Sequence, residues 1–282
     1  YKTFCARFEK PIVQDEDANA VRRLNQFTGP FILRRMKSEV LRELPPKTEN
    51  VRRVELETEQ RKLYLAAVVD AREKLRAAKP EDKMTVFAVL MRLREICCDP
   101  RLVVDNWTGS SAKLEACLEL VTEAVAGGHR ILLFSQFTSM LELLAKRLDE
   151  AGVSHFTLQG STPKPVRAEQ VRRFNQGEAD VFLISLRAGG TGLNLTAADI
   201  VIHYDPWWNL AAQNQATDRA YRIGQRNPVQ VYRLIAQDTI EEKIVELQQA
   251  KQSLADTVTG GADGAILSMN PEQLLQLLGE EA

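Results

Sequence analysis

Cysteine is scarce in this 282-residue chain: Cys5, Cys97, Cys98 and Cys117 are the four present, with no C-x-x-C pair among them. The three histidines lie far from them in sequence, so no zinc site is expected, and no metal ligands are assigned. Adjacent Cys97 and Cys98 are poorly placed for a mutual disulfide, so reduced thiols in an intracellular protein are expected. Apolar runs of 18 or more residues are absent, which excludes a helix spanning a membrane. The opening YKTFCARFEKPI lacks an initiator Met and an apolar signal core, and reads as the cut edge of a longer protein. Excess charge is lacking too, at a net −1. That average hides 22 Lys and Arg against 17 Asp and Glu in residues 1–110, and 15 against 21 beyond. Local patches bind phosphates, so near-neutrality neither supports nor excludes a nucleic-acid partner.

Residues 1–110 read mostly as helices. EDANAVRRLNQF and ETEQRKLYLAAVVDAREKLRAA carry apolar residues at helical spacing, with Thr58 a helix start. Pro80 interrupts before DKMTVFAVLMRLREICC, and NVRRVELE (50–57) alternates like a strand. From residue 111 the pattern changes. The apolar runs RILLFSQ (130–136), HFTLQ (155–159), DVFLISL (180–186), DIVIHY (199–204) and VQVYRLI (229–235) alternate with helical segments. Such runs indicate a parallel sheet covered on both faces, whose ligands gather at the carboxyl ends of the strands. DTIEEKIVELQQAKQSLADTV reads as a long closing helix with Asp238 and Thr239 as cap candidates. A flexible joint, TGGADGA, then leads to a short helix beginning at Pro271.

The loops after the strands carry the candidate chemistry. Ser135, Gln136 and Thr138 follow the first run, and either hold phosphates or, for Thr138, cap a helix. Gly160, Ser161 and Thr162 offer the same two readings, with Thr162 before Pro163 as a cap. LRAGGTGLNL crowds Gly189, Gly190 and Gly192 where a plain turn needs one glycine, yet matches neither the Walker A nor the dinucleotide spacing. Trp207 and Trp208 at a strand exit fill a core or stack on nucleic acid. Finally NQATDRAYRIGQ (214–225) reads as helix up to Ile223, closed by Gly224, which puts Arg219 and Arg222 on one face. They are either solvated, pairing with acids such as Asp218, or aimed at an anion, which guanidinium forks bind bidentately.

These stretches resemble a known family. LLFSQFTSMLELL, FTLQGST, DVFLISLRAGGTGLNLTAADIVIHYDPWWN and QATDRAYRIGQ are similar to motifs IV, IVa, V and VI of SWI2/SNF2-type ATPases in helicase superfamily 2. FILRRMKSEVLRELPPKTE, LMRLREICCDPRLV, SAKLEACLELV and TIEEKIVELQQAKQSLAD extend the likeness over nearly the whole chain. The resemblance implies a RecA-like parallel sheet with helices on both faces, plus an N-terminal helical elaboration. It divides the chain into a helical linking region (1–110), the C-terminal RecA-like lobe with its closing helix (111–259), and a joint with a short helix (260–282).

No GxxxxGK[ST] and no acidic box are found, so the resemblance implies a second lobe whose ATP and Mg2+ are bound mainly by a missing first lobe. By likeness, Arg219 and Arg222 would be arginine fingers. Gly190, Gly192, Asn194 and Gln215 would line the nucleotide cleft. Ser135, Gln136, Gly160, Ser161, Arg187 and Trp208 would contact DNA. Leu186, Leu210 and Tyr221 stand where many relatives carry Thr, Pro and His, and the compact form resembles bacterial or archaeal members. The implied partners are double-stranded DNA, the N-terminal ATPase lobe and a DNA-bound protein substrate, with no membrane. The implied location is the nucleoid-bearing cytoplasm of a prokaryote or the nucleus of a eukaryote. The implied activity is translocation on duplex DNA, with the fragment alone inactive. A strand-separating helicase lobe and a partner-docking module without catalysis are the alternatives.

Overall fold

In the computed structural model, the described residues are 2–13, 17–31, 44–189, 192–255 and 269–279. They fall into two compact units, one of residues 1–43 with 254–260, the other of 44–253 with 261–282. In the first, the short helical segments Lys2–Phe4, Cys5–Glu9 and Lys10–Val13 precede α1 (Ala18–Thr28). Phe8 meets Phe4 and Phe27, with ring centroids 5.6 and 6.3 Å away. The acidic side chain of Asp17 accepts the Asn19 N–H (2.8 Å), which starts α1 where the sequence places a helix.

The second unit is built on six strands: β1 (Lys47–Val54), β2 (Ile131–Ser135), β3 (His155–Leu158), β4 (Val181–Ser185), β5 (Ile200–His203) and β6 (Val229–Ala236). All described pairings are parallel, in the order β1-β6-β5-β2-β4-β3. Side chains alternate between the faces. Ile131, Leu133, Val181, Leu183, Ile200 and Ile202 bury against α4 (Ala112–Ala126) and α5 (Thr138–Glu150). Leu132, Phe134, Phe182, Ile184, Val201 and Val231 bury on the other side, with Phe174 of α6 (Lys164–Asn175) and Ala216 of α7 (Leu210–Thr217). Strands covered twice have no polar face, which is why their sequences run apolar without a break.

β1 is the strand anticipated at 50–57, displaced three residues toward the N-terminus. It pairs with β6 from Lys47↔Val229 to Val54↔Ala236. It lies at the sheet edge, where Lys47 to Val51 are exposed on both faces, and its charged residues suit that position. Two long helices follow. α2 (Thr58–Ala77) and α3 (Lys83–Cys98) form a third core with α8 (Ile240–Ala255) and α9 (Pro271–Leu277), centred on Leu90, Leu93, Ile96, Ile244 and Leu274. Asp82 caps α3 by accepting from the Thr85 N–H (3.0 Å). Thr239, not Asp238, caps α8, its hydroxyl accepting from the Glu241 N–H (3.2 Å). Asn270 and Gln273 close a capping box on α9, with Pro271 at its first turn as expected. The joint anticipated at TGGADGA lies outside the described residues. Cys97, Cys98 and Cys117 are unbridged and buried, and Cys5 is half-buried. Burial raises the Cys97 and Cys98 thiols well above their ordinary range and Cys117 to about 12, so all three stay protonated.

Candidate nucleotide and nucleic-acid interface

With every strand parallel, the exits of β2 and β5 lie side by side at one sheet edge, and one carboxylate ties them together. Asp205 follows β5 and is fully buried. Its Oδ1 accepts from the Ser135 hydroxyl (2.7 Å) and the Gln136 N–H (3.2 Å), both at the end of β2. The Ser135 oxygen in turn accepts from the Phe137 N–H (3.2 Å) and turns the chain into α5. The turn therefore belongs to Ser135. Thr138, the cap candidate, is already the first residue of α5. Ser135 is also buried, so its hydroxyl faces inward rather than toward a ligand. Gln136 is half-buried, and its Nε2 has no hydrogen-bond partner among the described residues.

Asp205 pairs with Arg94 of α3 (3.3 Å), both side chains fully buried. Burial raises the Asp205 carboxyl above its usual range, while Arg94 and the Ser135 hydrogen bond oppose that rise. The Arg94 guanidinium also donates to the Pro206 carbonyl and lies 4.1 Å from the Trp208 ring centroid. Trp208, a candidate DNA contact, is thus half-buried and stacked on an internal cation.

The loop after β3 differs, because it is open. Gly160 and Ser161 are exposed. Thr162 closes a turn there, its hydroxyl accepting from the Gln159 N–H (3.0 Å). α6 begins at Lys164 with Pro163 in the cap position, so the cap expected from Thr162 is not formed.

β4 and β5 are parallel, so residues 186–199 must return from the carboxyl edge to the amino edge. The return starts as a one-turn helix, Leu186–Gly189. Arg187 lies on it, with a side chain outside the described part, and Gly190 lies outside the described residues. Gly192 and Asn194 are exposed, Gly192 at φ +35°. The Asn194 carbonyl accepts from the Asn175 amide (2.8 Å).

The next N–H, of Leu195, donates to the Arg219 carbonyl (3.0 Å) and fastens the arginine stretch to this crossover. That stretch is not the helix expected up to Ile223. α7 ends at Thr217, and the backbone tightens, with Arg219 N–H donating to Ala216 and Arg222 N–H to Ala220. Gly224 sits at φ +101°, which side chains other than glycine's rarely adopt. Gln225 holds the loop shut. Its Nε2 lies within hydrogen-bond distance of the Ala198, Ala220 and Thr196 carbonyls (2.7, 3.2 and 3.3 Å). Its Oε1 accepts from the Arg226 and Asn227 N–H groups (2.8 and 2.9 Å). The sequence reading missed this clamp, whose one outward sign is the Gln after the turn glycine.

The tightened turn separates the two arginines in exposure. Arg219 is buried, at 7% exposure, and Arg222 is exposed. Burial lowers the Arg219 guanidinium below its ordinary range, the nearby Arg222 charge lowers it further, and Asp218 opposes both. Buried Arg219 thus lies within the field of a second cation and of a neighbouring carboxylate. Gln215 lies on α7, exposed. Among the described residues no group of three His, Cys, Asp or Glu side chains is placed to hold a metal, and no helix is long and apolar enough to cross a membrane.

A parallel sheet with helices on both faces, a Gly-rich return after one strand and an arginine turn fastened to it define a RecA-like helicase lobe. Residues 112–224 match the helicase conserved C-terminal domain, and residues 1–102 match the SNF2-related domain. The chain belongs to the SNF2-related family and carries both of these domains. It is 38% identical over 283 residues to the putative ATP-dependent helicase/translocase YwqA of Bacillus subtilis, covering 97% of this chain and 31% of that protein. An ATP-dependent helicase of Mycoplasma pneumoniae is 38% identical over 98% of this chain and 26% of its own length. The chain thus spans about a quarter to a third of such relatives. Its fold is similar to the Sulfolobus solfataricus SWI2/SNF2 ATPase core in complex with dsDNA, at TM-score 0.71 and 30% identity, over 100% of this chain and 61% of that one. The C-terminal domain of that ATPase gives TM-score 0.69 and 27% identity, over 84% of this chain and 100% of that domain.

Proposed function

We propose that this chain is the second lobe of an ATPase that translocates on double-stranded DNA and remodels protein–DNA complexes, completing an ATP site carried by a first lobe. The observation that carries this reading is the Arg219–Arg222 turn, where the charge of Arg222 bears on buried Arg219, partly offset by Asp218, on a loop clamped to the Gly-rich crossover. A triphosphate brought against that turn from another lobe offsets that positive charge. Negative charge that spreads over the transferred phosphoryl group is then met by two positioned forks. Gly190, Gly192, Asn194 and Gln215 are the candidates to line the same cleft. The same reading assigns magnesium to the first lobe.

On the DNA side, exposed Gly160 and Ser161, with Arg187 and Gln136, are the groups assigned to phosphate contact, and Ser135 and Trp208 act behind them as supports. Contacts of this kind fix register without reading sequence, as a motor moving along any duplex requires. Closing on ATP and reopening after hydrolysis alternates the grip.

The test is reconstitution. The isolated chain should bind duplex DNA with strong salt dependence and hydrolyse no ATP. Adding the first lobe of the same ATPase should restore DNA-stimulated hydrolysis, without strand displacement. Hydrolysis by the isolated chain would defeat the divided-site reading, and strand displacement by the reconstituted pair would favour a separating helicase.

A further inference from the structure

Arg94 lies outside every loop assigned above, yet its guanidinium meets both rim loops at once. It contacts Asp205, whose carboxylate holds Ser135 and the Gln136 backbone at the end of β2. It donates to the Pro206 carbonyl and stacks on Trp208 after β5. Its carbon centre also lies 5.7 Å from the Phe137 ring centroid, back on the β2 side.

This arrangement is poor as a stabilising device. One nitrogen, Nη2, makes both polar contacts, while buried Nε and Nη1 have no hydrogen-bond partner among the described residues. Buried ion pairs with incomplete hydrogen bonding are commonly no better for stability than an apolar replacement. The guanidinium instead braces the pair of loops that Asp205 ties together. Its Nη2 edge and its planar face are used at the same time, a combination no lysine offers.

We infer that Arg94 is a positioning residue for duplex-DNA binding, through which α3 holds the β2 and β5 rim loops at the spacing that lets Gln136 and its neighbours reach phosphates. The inference rests on the DNA reading of that rim. It gives the helical hairpin of α2 and α3 a part in DNA grip, without any contact of its own to DNA.

The experiment measures binding of the 282-residue chain to a fluorescein-labelled duplex across a salt series, with tryptophan emission and melting temperature recorded in parallel. Arg94→Lys keeps the charge and loses fork and stack. It should weaken duplex binding about tenfold at low salt and lower the slope of log K against log salt by about 1, as one phosphate contact is lost. Tryptophan emission should change as the stack on Trp208 is lost. Leu93→Ala, a buried truncation one residue away, should lower the melting temperature and leave both affinity and slope unchanged. Asp205→Asn should repeat the Arg94→Lys pattern, and it decides the matter if the lysine variant does not fold. Unchanged affinity and slope in the variant that folds would overturn the inference. So would an equal loss in Leu93→Ala, which would make Arg94 one more core residue. If the unsubstituted chain binds no duplex, the DNA reading fails and this inference with it. If it binds and Arg94→Lys binds equally, only the inference fails.

Discussion

His203 ends β5 as a buried neutral imidazole, stacked on Phe134 at 5.6 Å between centroids, its Nε2 within 2.9 Å of the Thr217 hydroxyl. Burial, with the Arg233 charge nearby, pulls its pKa down to about 3 from an ordinary 6.5. The unfolded chain therefore takes up this proton first as pH falls. The stability contributed is complete above about pH 6.5 and is lost progressively toward pH 3, by up to about 1.4 kcal/mol per unit. His203→Asn keeps a hydrogen bond to Thr217 and removes the titration. The stability advantage of the unsubstituted chain should shrink by about 2 kcal/mol between pH 7.5 and 5, read from denaturant midpoints. Parallel curves over that window would show that this imidazole titrates normally. Residue-scale details of this kind were the least legible in sequence. Nothing near Ser135 announces a carboxylate 70 positions away, so the hydroxyl read as an outward donor. The Gln225 clamp depends on carbonyls of Thr196 and Ala198 that only the folded crossover brings to it.

At the scale of elements, β2, β4 and β5 were legible because both of their faces are buried and their sequences are apolar nearly throughout, and the partly buried β3 and β6 because apolar residues still recur along them. β1 was visible as a strand but not as a sheet member, since an exposed, charged edge strand looks the same alone or paired. α7 was over-extended because helical spacing continues through NQATDRAYRIG. Tertiary hydrogen bonding wins there: Leu195 and Gln225 capture carbonyls that a continued helix would use. Helices α4 and α8 and the end of β6 are stitched by a second buried pair. Lys113 on α4 meets Glu241 on α8 at 2.6 Å, and Glu241 also accepts the Ala236 N–H (2.8 Å). Removing one partner strands the other charge. Lys113→Met alone should cost about 3–5 kcal/mol in urea unfolding. Lys113→Met with Glu241→Gln should recover much of that loss. A double variant no better than the single would show that the Ala236 contact, not the ion pair, sets the cost.

On the scale of the whole molecule, the proposed function makes this chain one part of a larger ATPase. Fold and family were legible because several motifs fall in order on strand exits, each spaced by a helix. Their physical linkage was not, because the arginine turn is fastened to the Gly-rich return by the Leu195–Arg219 backbone bond and by the Gln225 side chain, both of which use backbone carbonyls that residue spacing does not reveal. In the family's relatives this chain corresponds to about a quarter to a third of the protein, so its charge and its cleft take their meaning from what they meet. The most direct measurement is DNA-stimulated ATP turnover by the two-lobed ATPase carrying Arg219→Ala or Arg222→Ala, with ATP affinity measured beside it. Each variant should lose about 10³-fold or more in turnover while binding ATP nearly as before. Turnover within a few-fold of the unsubstituted enzyme in both variants would contradict the account.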